Sequence, residues 1–219
     1  MDLLLRIITF GIPVLLAITL HEAAHGYIAL RYGDDTAQRL GRVSLNPLKH
    51  IDTIGTILIP GFLLLIGSPV LFGYAKPVPV NFSRLKNPRI DSICVAVAGP
   101  AMNLLLAFIS LLLLHLVVFF PEGIEEILKN MLTLSTLINV TLAVFNMLPL
   151  LPLDGGRVVA GLLPPRLLVP YTRLEPYGIF IILAVLLIPP LFGLNVIGWL
   201  ISHPIKLIIE LFSFLTGLS

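Results

Sequence analysis

Residues 3–31, LLLRIITFGIPVLLAITLHEAAHGYIALR, carry only Arg6, Glu22 and Arg31 as charges. A helix crosses the hydrocarbon core of a bilayer with about 20 apolar residues, and there every backbone polar group must be satisfied within the helix itself. This run meets the length requirement and confines the chain to folds that tolerate lipid. The rest of the composition agrees. Hydrophobic residues make up 57% of the 219 and charged residues 12%, with a mean hydropathy of +1.02. Soluble domains carry about 25% charged residues, so half that share predicts an integral membrane protein. A net charge of +2 is too small to indicate a nucleic-acid partner. The single cysteine, Cys94, excludes an internal disulfide and a cysteine-built zinc site. The N-terminal run continues into histidines without a small-residue cleavage site, which reads as a membrane helix and not as a signal peptide.

Further apolar stretches cover residues 54–73, 91–120, 131–151 and 177–219, the last broken by Pro189, Pro190 and Pro204. They predict an all-α, multi-pass bundle of about five to six membrane segments, with no soluble insert and no repeated half. Residues 31–53 and 74–90 are basic, and the loop 121–130 is acidic. Positive-inside bias puts the two basic stretches in the cytoplasm and the acidic loop outside. A segment between two cytoplasmic stretches cannot cross once, so 54–73 is expected to dip in and return as a re-entrant element. Its glycines and prolines suit that path. The alternation in GRVSLNP, residues 41–47, predicts a small β-hairpin near the cytoplasmic face, or an edge that pairs with an unwound substrate.

Within the first apolar run stands HEAAH. His21 and His25 are four apart and share one helix face, a spacing that suits two imidazole ligands on one zinc ion. Glu22 lies beside the first ligand, where this pattern places a general base for the attack of water. Three ionisable groups at membrane depth are expensive and mark function by default. The plainer reading is a polar cluster that glues helices together. A catalytic zinc needs a third protein ligand and an open position. Arg31 occupies the place of a third histidine in the H-E-x-x-H-x-x-G-x-x-H type, and Ile28 that of its glycine, which excludes that class. Asp34, Asp35 and Asp52 are candidates, but each reads as a solvated loop acid. Asp154 differs. It is the only acid between 127 and 174, at the expected cytoplasmic end of an apolar segment. Pro149, Pro152, Gly155 and Gly156 surround it and turn the backbone away from a continuing helix. His25 lies roughly 9 Å along the helix from Arg31, which gives it a similar depth.

HEAAHGY, FGYAKPVPVN, AGPAMN and NMLPLLPLDGGR together resemble the site-2 protease family of intramembrane zinc metalloproteases, over most of residues 10–160, in its compact prokaryotic type. The resemblance implies one Zn2+ per chain on His21, His25 and Asp154, with Glu22 as the catalytic base. It implies a single integral membrane protease domain over 1–219, with the catalytic core in 1–160 and C-terminal membrane helices in 161–219. It further implies a multi-pass protein of the plasma membrane that cuts membrane-spanning substrates near the cytoplasmic side. Asn103 and Asn146 are candidate contacts to substrate backbone or to a developing oxyanion, with a helix-to-helix polar contact as the alternative use. His50, His115 and His203 read as interfacial or packing residues, and Tyr177 and Trp199 as an interfacial belt. A non-proteolytic zinc transporter or sensor is the rival reading, and an inactive scaffold a third. Transport favours repeated halves and leaves the glutamate of the motif without a task.

Overall fold

The computed structural model describes residues 3–58, 62, 76–193 and 196–218. Its α-helices run in chain order as α1 (Leu3–Arg31), α2 (Thr36–Arg39), α3 (Pro88–Val117), α4 (Glu122–Asn146), α5 (Asp154–Leu162), α6 (Pro165–Thr172), α7 (Gly178–Leu191) and α8 (Val196–Thr216). Five helical segments among the described residues are long and apolar enough to cross a membrane: Ile8–Arg31, Pro88–Val117, Glu122–Asn146, Pro165–Val185 and Gly198–Thr216. The protein is a multi-pass helical membrane protein.

Helices α1, α3 and α4 pack on one another, α5 packs on α3, and α8 lies against α4 and α3. Lipid is as apolar as leucine, so burying large hydrophobic side chains between membrane helices gains little, and close backbone approach and polar contacts drive association instead. The core follows that rule. Ala17, Ala23, Ala29, Ala107 and Ala143 are buried, together with Thr9, Thr19, Asn103, Ser110, Thr136 and Asn139. The Thr9, Ser110 and Thr136 hydroxyls donate to the carbonyl four residues earlier, which satisfies them within their own helix. Large apolar residues face outward, as at Ile8, Ile12 and Leu16 on α1 and Leu105, Ile109, Leu112 and Leu116 on α3. Both sets keep helical spacing, so each marks one lipid-facing stripe.

The end of α1 organises the loops beside it. Gly33, at φ +108°, stands just past the helix, Gly33 N–H donates to Leu30 C=O, and Asp34 N–H donates to Ala29 C=O at 2.9 Å. This is the paired bond pattern of a Schellman cap, which needs a left-handed residue and so favours glycine. The cap turns Asp34 back under the helix. Asp34 is fully buried, not the solvated loop acid expected from its neighbours. One carboxylate oxygen accepts from Thr36 N–H and Oγ1–H, and the other accepts from Asn81 N–H at 2.6 Å. Asp35 pairs with Arg39 and Arg84, and Asp52 accepts from Ile54 and Gly55 N–H.

The expected β-hairpin is not formed: among the described residues there is no strand. Within residues 44–50 polar side chains take up several hydrogen bonds locally. Ser44 Oγ accepts from Asn46 N–H, Asn46 Oδ1 accepts from Leu48 N–H, and buried His50 donates through Nε2 to Ser44 C=O at 2.8 Å. Short polar side chains of this kind compete with ladder bonds. The expected re-entrant element over 54–73 falls mostly on residues 59–61 and 63–73, outside the described residues; its start, Thr53–Leu58, is a turn of π-helix.

Asp34 generates a prediction. Burial alone would raise its carboxyl pKa, but the hydrogen bonds from Thr36 and Asn81 and the nearby Arg84 charge outweigh that and hold it below the ordinary value. A depressed folded-state pKa adds stability that is present above the unfolded-state value and is lost as pH falls through the folded one. Asp34→Asn is therefore expected to cost about 1–3 kcal/mol at neutral pH. Thermal unfolding of wild type and variant should converge as the medium is acidified below the carboxylate range; parallel curves at every pH would show that Asp34 carries no such charge-dependent term.

Candidate metal centre

His21 and His25 project from the C-terminal half of α1, and Asp154 is the first residue of α5. The three come together. His21 Nε2 lies 3.0 Å from His25 Nε2 and 3.2 Å from Asp154 Oδ2, and His25 Nε2 lies 3.4 Å from Asp154 Oδ1. Among the described residues this is the one group of three or more His, Cys, Asp or Glu side chains whose donor atoms converge.

The other ring nitrogens reveal what those donors carry. His21 Nδ1 faces Asn103 Oδ1 at 2.6 Å, and His25 Nδ1 faces Val95 C=O at 2.7 Å. Both partners only accept, so each Nδ1 bears a proton and each ring, when neutral, presents its Nε2 lone pair. Two lone pairs and a carboxylate then share one buried spot, and Asp154 Oδ2 has no hydrogen-bond partner. Such an arrangement is repulsive unless a proton or a metal ion lies among the three. Two ligand atoms on a tetrahedral zinc ion, each about 2.0–2.1 Å from it, are roughly 3.3 Å apart. The observed 3.0, 3.2 and 3.4 Å fit, and a set of two nitrogens and one oxygen leaves a fourth position open.

Local sequence explains the placement. A Cβ on Gly99 of α3 would stand 2.6 Å from His21 Nε2 and closer still to His25 Nε2, so only glycine leaves room for both rings. Pro100 cannot donate to the carbonyl four residues back, which loosens α3 beside Val95. Gly155 and Gly156 act differently from the sequence expectation. They lie inside the first turn of α5, and Cβ atoms there would strike the backbone of Met147–Leu151. Their small size lets the turn before Asp154, which contains a cis Leu151–Pro152 peptide, fold against the start of the helix that carries it.

Glu22 borders the same cavity, of about 300 Å³, with Asn146, Val78, Phe82 and Arg157 also on its wall. Glu22 Oε2 accepts from Val78 N–H at 2.7 Å. Val78 belongs to an extended stretch, residues 76–81, that passes over the site. Lys76 N–H donates to His50 C=O, the Arg42 guanidinium caps the Lys49 and Lys76 carbonyls, and Asn81 N–H donates to Asp34. Pro77 and Pro79 have no N–H to offer a neighbouring strand. Arg157 stacks on Phe82, 4.6 Å from the ring centroid, and pairs with Glu175 at 2.9 Å, which ties the end of the stretch to α5.

The two asparagines part company. Asn146 lines the cavity. Asn103 is fully buried between helices, and both its amide hydrogens and its oxygen are engaged, with Ala17 C=O, Asn139 and His21. These contacts are the helix-to-helix polar use of the side chain, and they leave it no exposure to solvent. His115 bonds to Thr216 C=O and joins α3 to the end of α8. Asn139 and Gly99 were not singled out by sequence reasoning. An asparagine in the apolar run 131–151 was a signal of the same kind as the histidines.

The profile of Peptidase family M50 matches residues 115–189, which include Asp154. The chain is 41% identical, over 92% of its length and 90% of the relative's, to "Putative zinc metalloprotease YwhC" of Bacillus subtilis (strain 168). It is 30% identical, over 80% of its length and 65% of the relative's, to "Putative zinc metalloprotease Rip2" of Mycolicibacterium smegmatis. At 27% identity it also matches, over 85% of its length and 70% of the relative's, the protein of the same name from Mycobacterium tuberculosis (strain H37Rv). No solved structure matches the chain. With an N,N,O donor set beside a glutamate in a membrane helix bundle, and a relative this similar over nearly the whole length, the chain belongs to peptidase family M50, the site-2 protease family of membrane zinc metalloproteases.

Proposed function

We propose that the protein hydrolyses peptide bonds within or near transmembrane segments of membrane-protein substrates, using one zinc ion held by His21, His25 and Asp154. The observation that carries this reading is the convergence of two imidazole lone pairs and a carboxylate within 3.4 Å of one another, beside a glutamate on the wall of a polar cavity. When bound, zinc supplies Lewis acidity, lowering the pKa of water toward about 7 and polarising a peptide carbonyl. The remaining work falls to the chain. Glu22, adjacent to the first histidine, takes a proton from the attacking water and returns it to the leaving amine. Val78 N–H holds one oxygen of Glu22, which leaves the other for that proton. Asn146, on the cavity wall, offers its amide to the substrate backbone or the developing oxyanion. The cavity admits water, and a substrate helix must unwind to reach it, because helical carbonyls are otherwise paired and shielded.

The chain works as one membrane protease domain, with the catalytic core in residues 1–160 and membrane helices in 161–219. The basic loops around 31–53 and 74–90 support a cytoplasmic position for the site in the plasma membrane. The rival, a zinc transporter or sensor, gains no support from one convergent donor group among the described residues, beside a glutamate held ready by a backbone N–H.

Glu22→Gln is expected to keep zinc and lose at least about 10²-fold in cleavage, since an amide cannot take the proton. Metal analysis and proteolysis of a membrane-protein substrate, measured on the same preparations, decide it; near wild-type turnover removes Glu22 from the role. Asp154→Asn should weaken zinc binding by more than the roughly 10–100-fold typical of losing an outer hydrogen-bond partner. Undiminished zinc affinity in a chelator competition would place the third ligand elsewhere. For orientation, Lys49→Cys and Glu122→Cys, each in a Cys94→Ser background, place thiols at two exposed positions. An impermeant thiol reagent applied to intact cells should label position 122 and spare position 49; the reverse pattern would turn the site outward.

A further inference from the structure

His25 is oriented by a backbone carbonyl, that of Val95, which no substitution of a side chain removes. His21 is oriented by a side chain. Asn103 Oδ1 accepts its Nδ1–H at 2.6 Å in a spot with no exposure to solvent. The amide of Asn103 cannot turn around. Its Nδ2 donates to Ala17 C=O at 3.1 Å and to Asn139 Oδ1 at 2.8 Å, and both of those are acceptors. Asn139 is fixed in turn, because its Nδ2 donates to Ser135 C=O at 2.9 Å and lies 3.3 Å from Ser135 Oγ. Ser135 Oγ meets Ser110 Oγ at 2.8 Å, and Ser110 donates to Leu106 C=O. The chain of bonds runs through the α1, α3 and α4 contact, and its anchors are main-chain carbonyls that cannot change direction.

We propose that Asn103, locked by Asn139, is a positioning residue for the metal centre: it sets the tautomer and ring angle of His21, so that Nε2 presents its lone pair to the ion. This inference rests on the zinc reading above. The choice of an amide follows from the surroundings. A carboxylate in that place would also accept from Nδ1, but it would bury a second negative charge among membrane helices, where charge is costly. An amide supplies the acceptor and uses its two hydrogens to hold α1 and α4.

The experiment measures zinc affinity by chelator competition, and the visible spectrum of the cobalt-substituted protein, in wild type, Asn103→Leu, Asn103→Asp, Asn139→Leu and His21→Ala. Asn103→Leu removes the acceptor, and zinc affinity is expected to fall about 10–100-fold with altered cobalt bands. Asn103→Asp restores an acceptor oxygen and should bind zinc more tightly than Asn103→Leu, although it buries a charge and is expected to melt at a lower temperature. That inversion separates positioning from packing: a purely structural residue would make Asp the worse variant in both measurements. Asn139→Leu leaves the acceptor in place but frees its anchor, and should lose less than Asn103→Leu while still broadening or shifting the cobalt bands. If Asn103→Leu does not fold, Asn103→Asp and Asn139→Leu decide the matter by their spectra. Wild-type zinc affinity and cobalt spectra in every folded Asn103 and Asn139 variant, or Asp binding zinc more weakly than Leu, would overturn the inference. With His21→Ala losing zinc, that result leaves the metal site standing; with His21→Ala retaining it, the site itself is misassigned.

Discussion

Two imidazoles and one carboxylate converge, largely buried, at the wall of a small cavity, and the rest of the molecule is arranged around that expense. Each Nδ1 hydrogen has an acceptor, one from a main-chain carbonyl and one from a buried amide, so the lone pairs have only one direction to face. With nothing between them they repel each other and Asp154; the three donor atoms are spaced to hold a metal ion. Gly99 gives up its side chain to make room for the rings, and Gly155 and Gly156 do so to bring the acid to them. Glycine usually weakens a helix by about 1 kcal/mol relative to alanine. Here the loss is accepted at three positions in two helical turns because a methyl group would collide with the histidine rings or with backbone.

The bundle that holds this arrangement is the reverse of a soluble core. Small and hydroxylic residues face inward, and leucines, isoleucines and phenylalanines face lipid. Close approach of α1, α3 and α4 is what allows an asparagine on α3 to touch both a histidine on α1 and an asparagine on α4. The same buried amide therefore joins the helices and holds the His21 ring.

The loop side of the site has a similar economy. Residues 76–81 cannot join a sheet because two of their six positions are prolines, yet the N–H groups of Lys76, Val78 and Asn81 each have a partner. One of those partners is Glu22. Asp34, turned under the helix by the Gly33 cap, anchors one end of the stretch, and Arg42 anchors the other. Residues 76–81 form a strap over Glu22.

Much of this was legible in the residues. Apolar run length dictates helices, because an unpaired backbone group in lipid is too costly to leave exposed, and the i, i+4 spacing of His21 and His25 follows from helix geometry alone. The HEAAH and PLDGGR motifs together pointed to the family. What local pattern could not decide was which polar groups would be buried. Asp34 reads as solvent-facing because its neighbours are charged; only the capped turn and a hydrogen bond from Asn81, far along the chain, put it inside. GRVSLNP alternates like a strand, but Ser44, Asn46 and His50 take its hydrogen bonds. Asn103 and Asn146 look alike in sequence, each a polar residue on an apolar helix. One ended in the helix interface and the other on the cavity wall, because the rotation of α3 and α4 about their axes is set by packing against α1. The sequence by itself determined the membrane-embedded helices and the paired histidines. The tertiary structure alone decided that Asp154 meets them and that Asn103 lies against His21 between the helices, since both depend on contacts between segments that no local periodicity encodes.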